Sequence, residues 1–167
     1  LVVTESARLL TWYGDFGFDG TADWDVGLSK NWNNGNDYYT NLYSFGFGDA
    51  VLFDGINGGV FDANSTNVNL TTTLTPQSVT VQNNTAGFAP EFVFSGPGKL
   101  SGSASLTKSG NGILTIQNTG GNDYTGGTFV PAGTLRIGVA NALPTNGVLT
   151  TGSAGVNSTF LLNGFDQ

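Results

Sequence analysis

The chain has 167 residues, enough for one domain or a domain with a subdomain, and it contains neither cysteine nor histidine. Disulfides and thiolate metal sites are therefore excluded, and so is the commonest general base near neutral pH. The formal net charge is −7 with no basic patch, which makes nucleic acid and anionic membrane surfaces unsuitable partners.

The opening decapeptide, LVVTESARLL (1–10), is too short and too polar for a signal peptide, and methionine is absent from the whole chain. It reads as a processed or excerpted sequence from which any export signal has gone. Leu1, Val2, Val3, Leu9 and Leu10 make this arm apolar enough to add a donor strand to a neighbour.

Residues 11–62 differ from everything after them. Residues 1–62 hold all three tryptophans, thirteen of the twenty aromatic residues and eight of the ten aspartates. They also carry nine acids against Arg8 and Lys30, which accounts for the entire −7. One reading is a compact aromatic-rich cap, since a solenoid must cover its first coil or expose strand edges. Another is a carbohydrate platform, in which the flat faces of Trp12, Trp24 and Trp32 stack on sugar rings. Asp15, Asp19, Asp23 and Asp25 crowd the stretch GDFGFDGTADWD and are candidate Ca²⁺ ligands, because that hard ion is held by oxygen. No bidentate glutamate follows, so the EF-hand pattern is not met. Solvated or turn-capping aspartates are the competing reading.

No window of the chain carries a helical period; glycine, asparagine, proline or a threonine run interrupts first. Short alternating stretches recur instead. They predict strands within 49–55, 66–70, 78–82, 91–96, 104–108, 112–117, 127–131, 133–138, 147–151 and 158–164. A Gly-x-Leu phrase opens at Gly98, Gly112, Gly133 and Gly147, at spacings of 14, 21 and 14. Recurrence of this kind points to a repeat architecture over residues 63–167. A coil of about 20 residues, with two or three short strands and sharp corners, describes one turn of a parallel β-helix. Leucine and isoleucine then stack inward, and threonine, serine and asparagine point outward. An antiparallel β-sandwich is the alternative, with Asn111-Gly112 and Asn146-Gly147 as its hairpin signals.

The stretch SLTKSGNGILTIQNTGGNDYTGGTFVPAGTLRIG (105–138) resembles the autotransporter-associated β-strand repeat of bacterial passenger regions. The likeness rests on Leu106, Lys108, Gly110, Gly112, Leu114 and Ile116, then on Asn122, Tyr124, Gly126, Gly127, Thr128 and Val130, then on Gly133, Leu135 and Gly138. Ile116 stands where leucine is usual, and the loop 117–123 is a residue or two longer. FLLNGFDQ (160–167) is similar to the phrase that follows such a repeat, and GDAVLFD (48–54) to the segment that precedes it. The resemblance implies a right-handed parallel β-helix, secreted or displayed at a bacterial surface, with no catalytic residues. Lys108 and Arg136 are then expected as solvated outer-face charges, and Tyr124 as a corner residue packed on the neighbouring turn.

Catalytic patterns are poorly served. Paired carboxylates can hydrolyse glycosides without histidine, yet residues 63–167 offer only Glu91, Asp123 and Asp166, far apart in sequence. A serine triad lacks its base, and Gly98-Lys99 lacks phosphate-loop spacing. The expected function is a non-catalytic extracellular structural protein without cofactor: a β-helical surface stalk, an adhesin or a self-assembling filament subunit. The expected partner is a second copy bound head to tail, through the arm and through Phe160, Leu161 and Leu162, or a host or matrix surface. A carbohydrate-binding module using the N-terminal aromatics is the alternative function.

Overall fold

A computed structural model describes residues 7–14, 22–33, 37–41, 48–55, 66–83 and 90–167. Among these residues the chain forms strands and no helix. In chain order the strands are β1 (Leu9–Thr11), β2 (Asp23–Trp24), β3 (Ala50–Phe53), β4 (Asn67–Leu70), β5 (Thr73–Leu74), β6 (Ser78–Gln82) and β7 (Glu91–Ser95). They continue as β8 (Lys99–Leu100), β9 (Ser105–Ser109), β10 (Ile113–Ile116), β11 (Thr128–Val130), β12 (Gly133–Ile137), β13 (Leu149–Thr151) and β14 (Ser158–Leu161). Each of the ten predicted stretches overlaps a strand, β9 running one residue past the predicted 104–108. Of the four that were not predicted, β2, β5 and β8 are two residues long, too short to display an alternation, and β1 reads Leu-Leu-Thr, which does not alternate.

The first sheet has the order β1-β3-β6-β9-β11-β13, and the second β2-β4-β7-β10-β12-β14; β5 and β8 form a small third sheet. Every ladder between these strands is parallel. The chain crosses from one large sheet to the other and back, and each return lays a strand beside that of the preceding pass. This corrects the sandwich alternative. Asn111-Gly112 joins β9 to β10, and Asn146-Gly147 lies between β12 and β13; in both cases the flanking strands belong to different sheets. The turns redirect the chain out of the sheet plane, where a hairpin would fold a strand back onto its neighbour.

Period-two alternation selects the inward side chains. In β6 the sequence SVTVQ buries Val79 and Val81 and leaves its serine and threonine half-buried. Register then stacks like upon like. Leu10, Val51, Val79 and Leu106 align across the first sheet. Phe92, Leu114, Leu135 and Phe160 align across the second, beside Phe94, Ile116 and Ile137. Burying each such side chain contributes about 1.5–3 kcal/mol. The columns merge into one apolar core that runs through both sheets.

Beyond β10 the chain has no strand until β11, and side-chain amides take over the cross-linking. Asn118 and Asn122 are both buried and donate to each other's Oδ1, at 3.0 and 3.1 Å. Asn118 Nδ2 also donates to the Gly98 carbonyl at 2.9 Å. Asn122 accepts from Leu100 N at 2.8 Å and donates to the Ala142 carbonyl at 2.7 Å. One asparagine therefore ties its own pass to the passes before and after it. Asn122→Ala is expected to cost about 2 kcal/mol, because buried backbone groups on both sides lose their partner. A urea titration of wild type and variant checks this.

Candidate functional site

The three tryptophans lie inside the molecule. Trp12, Trp24 and Trp32 are only 3%, 0% and 1% exposed. Trp32 meets Trp12 edge-on at 4.9 Å between ring centroids and Trp24 at 5.5 Å. Phe53 packs against Trp12, Trp24, Trp32, Phe92 and Phe94 at 5.0–5.7 Å. Each indole packs against at least two other rings in the edge-on and tilted arrangements that aromatic quadrupoles favour. The expectation of glycan stacking on these residues is corrected by their burial, which leaves no face for a sugar.

Of the candidate Ca²⁺ ligands, Asp15 and Asp19 lie outside the described residues. Asp25 is buried and caps a turn: Oδ1 accepts from Leu28 N at 3.1 Å and Ser29 N at 2.9 Å, and Oδ2 accepts from the Ser29 hydroxyl. Asp23 accepts from Asn69 Nδ2 at 2.7 Å. The two carboxylates serve different partners, and among the described residues no three acids converge on a common point.

Asp49 is fully buried and forms a clamp that the sequence did not announce. It accepts from Arg8 Nε at 3.1 Å, Arg8 Nη2 at 3.0 Å and Thr40 N at 3.1 Å. Arg8 Nη1 pairs in addition with Asp37 at 3.0 Å. This forked geometry fixes the segment before β1 to β3 and to residues 37–41. Within β1, Leu9 and Leu10 pair with Ala50 and Val51 of the same chain. Leu10 is core and cannot serve a neighbouring copy, which corrects its expected role; Leu9 is 64% exposed. Leu1, Val2 and Val3 lie outside the described residues.

Lys108 also departs from expectation. It is fully buried, aligned with Val81 of β6 and in phase with the core residue Leu106. Its stem continues the inward column, and its ammonium donates to the carbonyls of Ser109 at 2.8 Å and Gly110 at 3.0 Å. Burial pushes the amine down from its ordinary 10.5 to about 8. Strand parity carried the signal, since Lys108 stands two residues after Leu106. Arg136, in contrast, lies half-exposed on the outside and pairs with Glu91 at 3.0 Å; Glu91 also accepts from the Thr115 hydroxyl. Tyr124 is buried with its hydroxyl 2.6 Å from Thr128 Oγ1, and burial raises it to about 12. Lys99, 2.6 Å from Asp123, holds that carboxyl below its usual range.

Apolar side chains are exposed around β13 and β14: Leu149 continues the inward column of Leu106 and Thr128, whereas Leu161 stands in the outward column of Arg136. Val148 is 66% exposed, and Leu149, Leu161, Leu162 and Phe165 are also exposed; Phe160 is half-buried against the core. A hollow of about 290 Å³ lies beside them, between residues 122–125 and loop 144–148. Gln167 pairs both ways with Leu143, accepting from its N–H at 2.8 Å and donating to its carbonyl at 3.0 Å.

No curated protein and no solved structure matches the chain. A family model does match one stretch, spanning β9 to β12, with the inward lysine, the asparagine cross-link and the buried Tyr124 between its ends. Residues 106–137 match the model of the passenger-associated-transport-repeat, in agreement with the resemblance to the autotransporter passenger repeat.

Proposed function

We propose that this chain is part of a non-catalytic extracellular protein of the autotransporter-passenger kind, a β-helical stalk whose copies associate head to tail. The observation that carries the reading is the alternation of strands between two sheets with every ladder parallel, together with the repeat at 106–137. Closed into a right-handed coil, as parallel crossovers overwhelmingly are, these sheets become the walls of a parallel β-helix. The aromatic cluster around Phe53 then caps its N-terminal side. The acids of residues 63–167 support a structural role: Glu91 and Asp123 are engaged in ion pairs with Arg136 and Lys99. Asp49 is locked in the Arg8 clamp rather than lining a groove.

Cysteine pairs test the coil on a cysteine-free background. Thr80 and Thr107 are register partners on neighbouring strands, about 4.8 Å apart, within the span of a disulfide. Thr80→Cys with Thr107→Cys should cross-link under mild oxidation without loss of stability. Failure to cross-link would remove the parallel stacking and the reading with it.

The partner assigned here is a second copy. Parallel sheets have the same polarity at both edges, so the β13 and β14 edges can accept the β1 and β2 edges of another copy in register. Such a contact is heterologous and does not close, so it grows into rods. Sedimentation should show a mass that rises with concentration, and Leu161→Lys with Leu162→Lys should hold the chain monomeric with an unchanged circular dichroism spectrum. A wild type monomeric at every concentration excludes this partner and leaves a host or matrix surface in its place.

A further inference from the structure

Five Asn-Gly pairs occur in the sequence, at Asn34, Asn57, Asn111, Asn146 and Asn163. The last three lie among the described residues. Asn-Gly is chemically labile because glycine has no Cβ to obstruct the approach of its own backbone nitrogen to the preceding side chain. The glycine nitrogen gives up its proton and attacks Cγ of asparagine. A five-membered imide forms and ammonia leaves. Water then opens the ring at either carbonyl, to aspartate or to isoaspartate. The balance is one amide and one water consumed, one carboxylic acid and one ammonia produced, with no oxidant or enzyme.

The three sites differ in the state of the attacking nitrogen. Gly112 N donates to the Asn83 carbonyl at 3.1 Å, and Gly147 N to the Pro144 carbonyl at 2.9 Å. A nitrogen held in this way must first lose its hydrogen bond, at a cost in the population able to react. Gly164 N makes no hydrogen bond among the described residues, and Asn163 is exposed with its side-chain amide unengaged. Asn163 and Gly164 form a tight turn, at φ +52 and +83, closed by Phe165 N donating to the Leu162 carbonyl at 2.9 Å.

We propose that Asn163 is a self-modification site, where spontaneous conversion to isoaspartate unfastens residues 165–167 from residues 141–143. Isoaspartate adds a carbon to the main chain inside a two-residue turn. The contacts next along the chain depend on that turn: Asn141 N donating to the Asp166 carbonyl at 3.0 Å, and the two-way pairing of Gln167 with Leu143. A second hollow, lined by Leu143, Pro144, Leu149 and Gln167 among others, loses one wall. None of this depends on the assembly proposed above.

The experiment is peptide mapping by mass spectrometry of the whole chain after incubation at mildly alkaline pH, with hydrogen exchange on the same samples. Conversion at Asn163 should run several-fold faster than at Asn111 and Asn146. Equal or faster conversion at either of those would overturn the assignment. In the isoaspartyl fraction, the amides of Asn141 and Leu143 should lose protection, whereas Asn163→Asp, which adds the charge without the extra carbon, should retain it. Retained protection in the isoaspartyl form, or its loss in Asn163→Asp, would overturn the unfastening by chain lengthening.

Discussion

Gly133→Ala is expected to destabilise the protein by about 2–5 kcal/mol, read as a lowered urea midpoint at unchanged slope. Gly133 opens β12 at φ +72, where a β-carbon costs about 1–2 kcal/mol. Space adds to that cost. A methyl group there would overlap the Gly110 carbonyl oxygen and stand 2.6 Å from both the Gly112 carbonyl oxygen and Lys108 Nζ. Neither carbonyl can retreat freely, because the Gly112 oxygen accepts from Thr134 N and the Gly110 oxygen from the buried ammonium. Gly121→Ala is the control. Gly121 has the same φ of +72 but nothing within 4 Å of the added carbon, so it carries the backbone penalty alone. The excess at Gly133 measures the close approach of one pass to the next. Equal losses at the two positions would mean that the corner is looser than its geometry.

The second large effect is a rise in stability with alkaline pH. In the unfolded chain Lys108 titrates near 10.5, and in the folded chain near 8. Between those values the unfolded state binds more protons than the folded one, so unfolding becomes less favourable as pH rises. The burden of a buried ammonium is fully present below pH 8 and is relieved toward pH 10.5, a gain of about 3 kcal/mol at most. Tyr124 acts in the opposite sense. Its folded value of about 12 exceeds the ordinary 10.0, so it stabilises below pH 10 and that contribution fades above it. Stability should climb from pH 8, crest near 10 and then decline. Lys108→Met should abolish the climb while leaving the decline. A wild-type profile that is flat between pH 8 and 10 would refute the buried, desolvated ammonium.

The contrast between Lys108 and Arg136 shows what a sequence can carry. Both were expected outside because both are charged. The alternation in SLTKS had already put Lys108 in phase with Leu106, and in GTLRI it put Arg136 out of phase with Leu135 and Ile137. The expectation for Lys108 was wrong and that for Arg136 right, and the strand alternation agrees with both observed positions. Charge was the weaker guide because a lysine stem is apolar and two corner carbonyls receive its head. Those carbonyls belong to the last residue of β9 and the glycine after it, and Gly133 packs against the same corner.

The aromatic segment was less legible. Its composition marked residues 11–62 as distinct, yet a buried cluster and an exposed sugar platform use the same rings. Burial is a property of neighbours, and Phe92 and Phe94, which help enclose Trp24 and Phe53, lie far along the chain. The Asp49 clamp is equally non-local, since its Arg8 partner is 41 residues away.

By itself the sequence determined the all-β class, ten of the fourteen strands, the inward stacking of leucine and isoleucine in most of them and the resemblance to the passenger repeat. These are periodic, short-range properties, written within a few residues of where they act. Only the tertiary structure decided that the strands run parallel, that the tryptophans face one another, and that Lys108, Asn122 and Asp49 are buried with partners. Each of those depends on which distant segment arrives alongside, and local alternation is the same whether the neighbouring strand runs up or down.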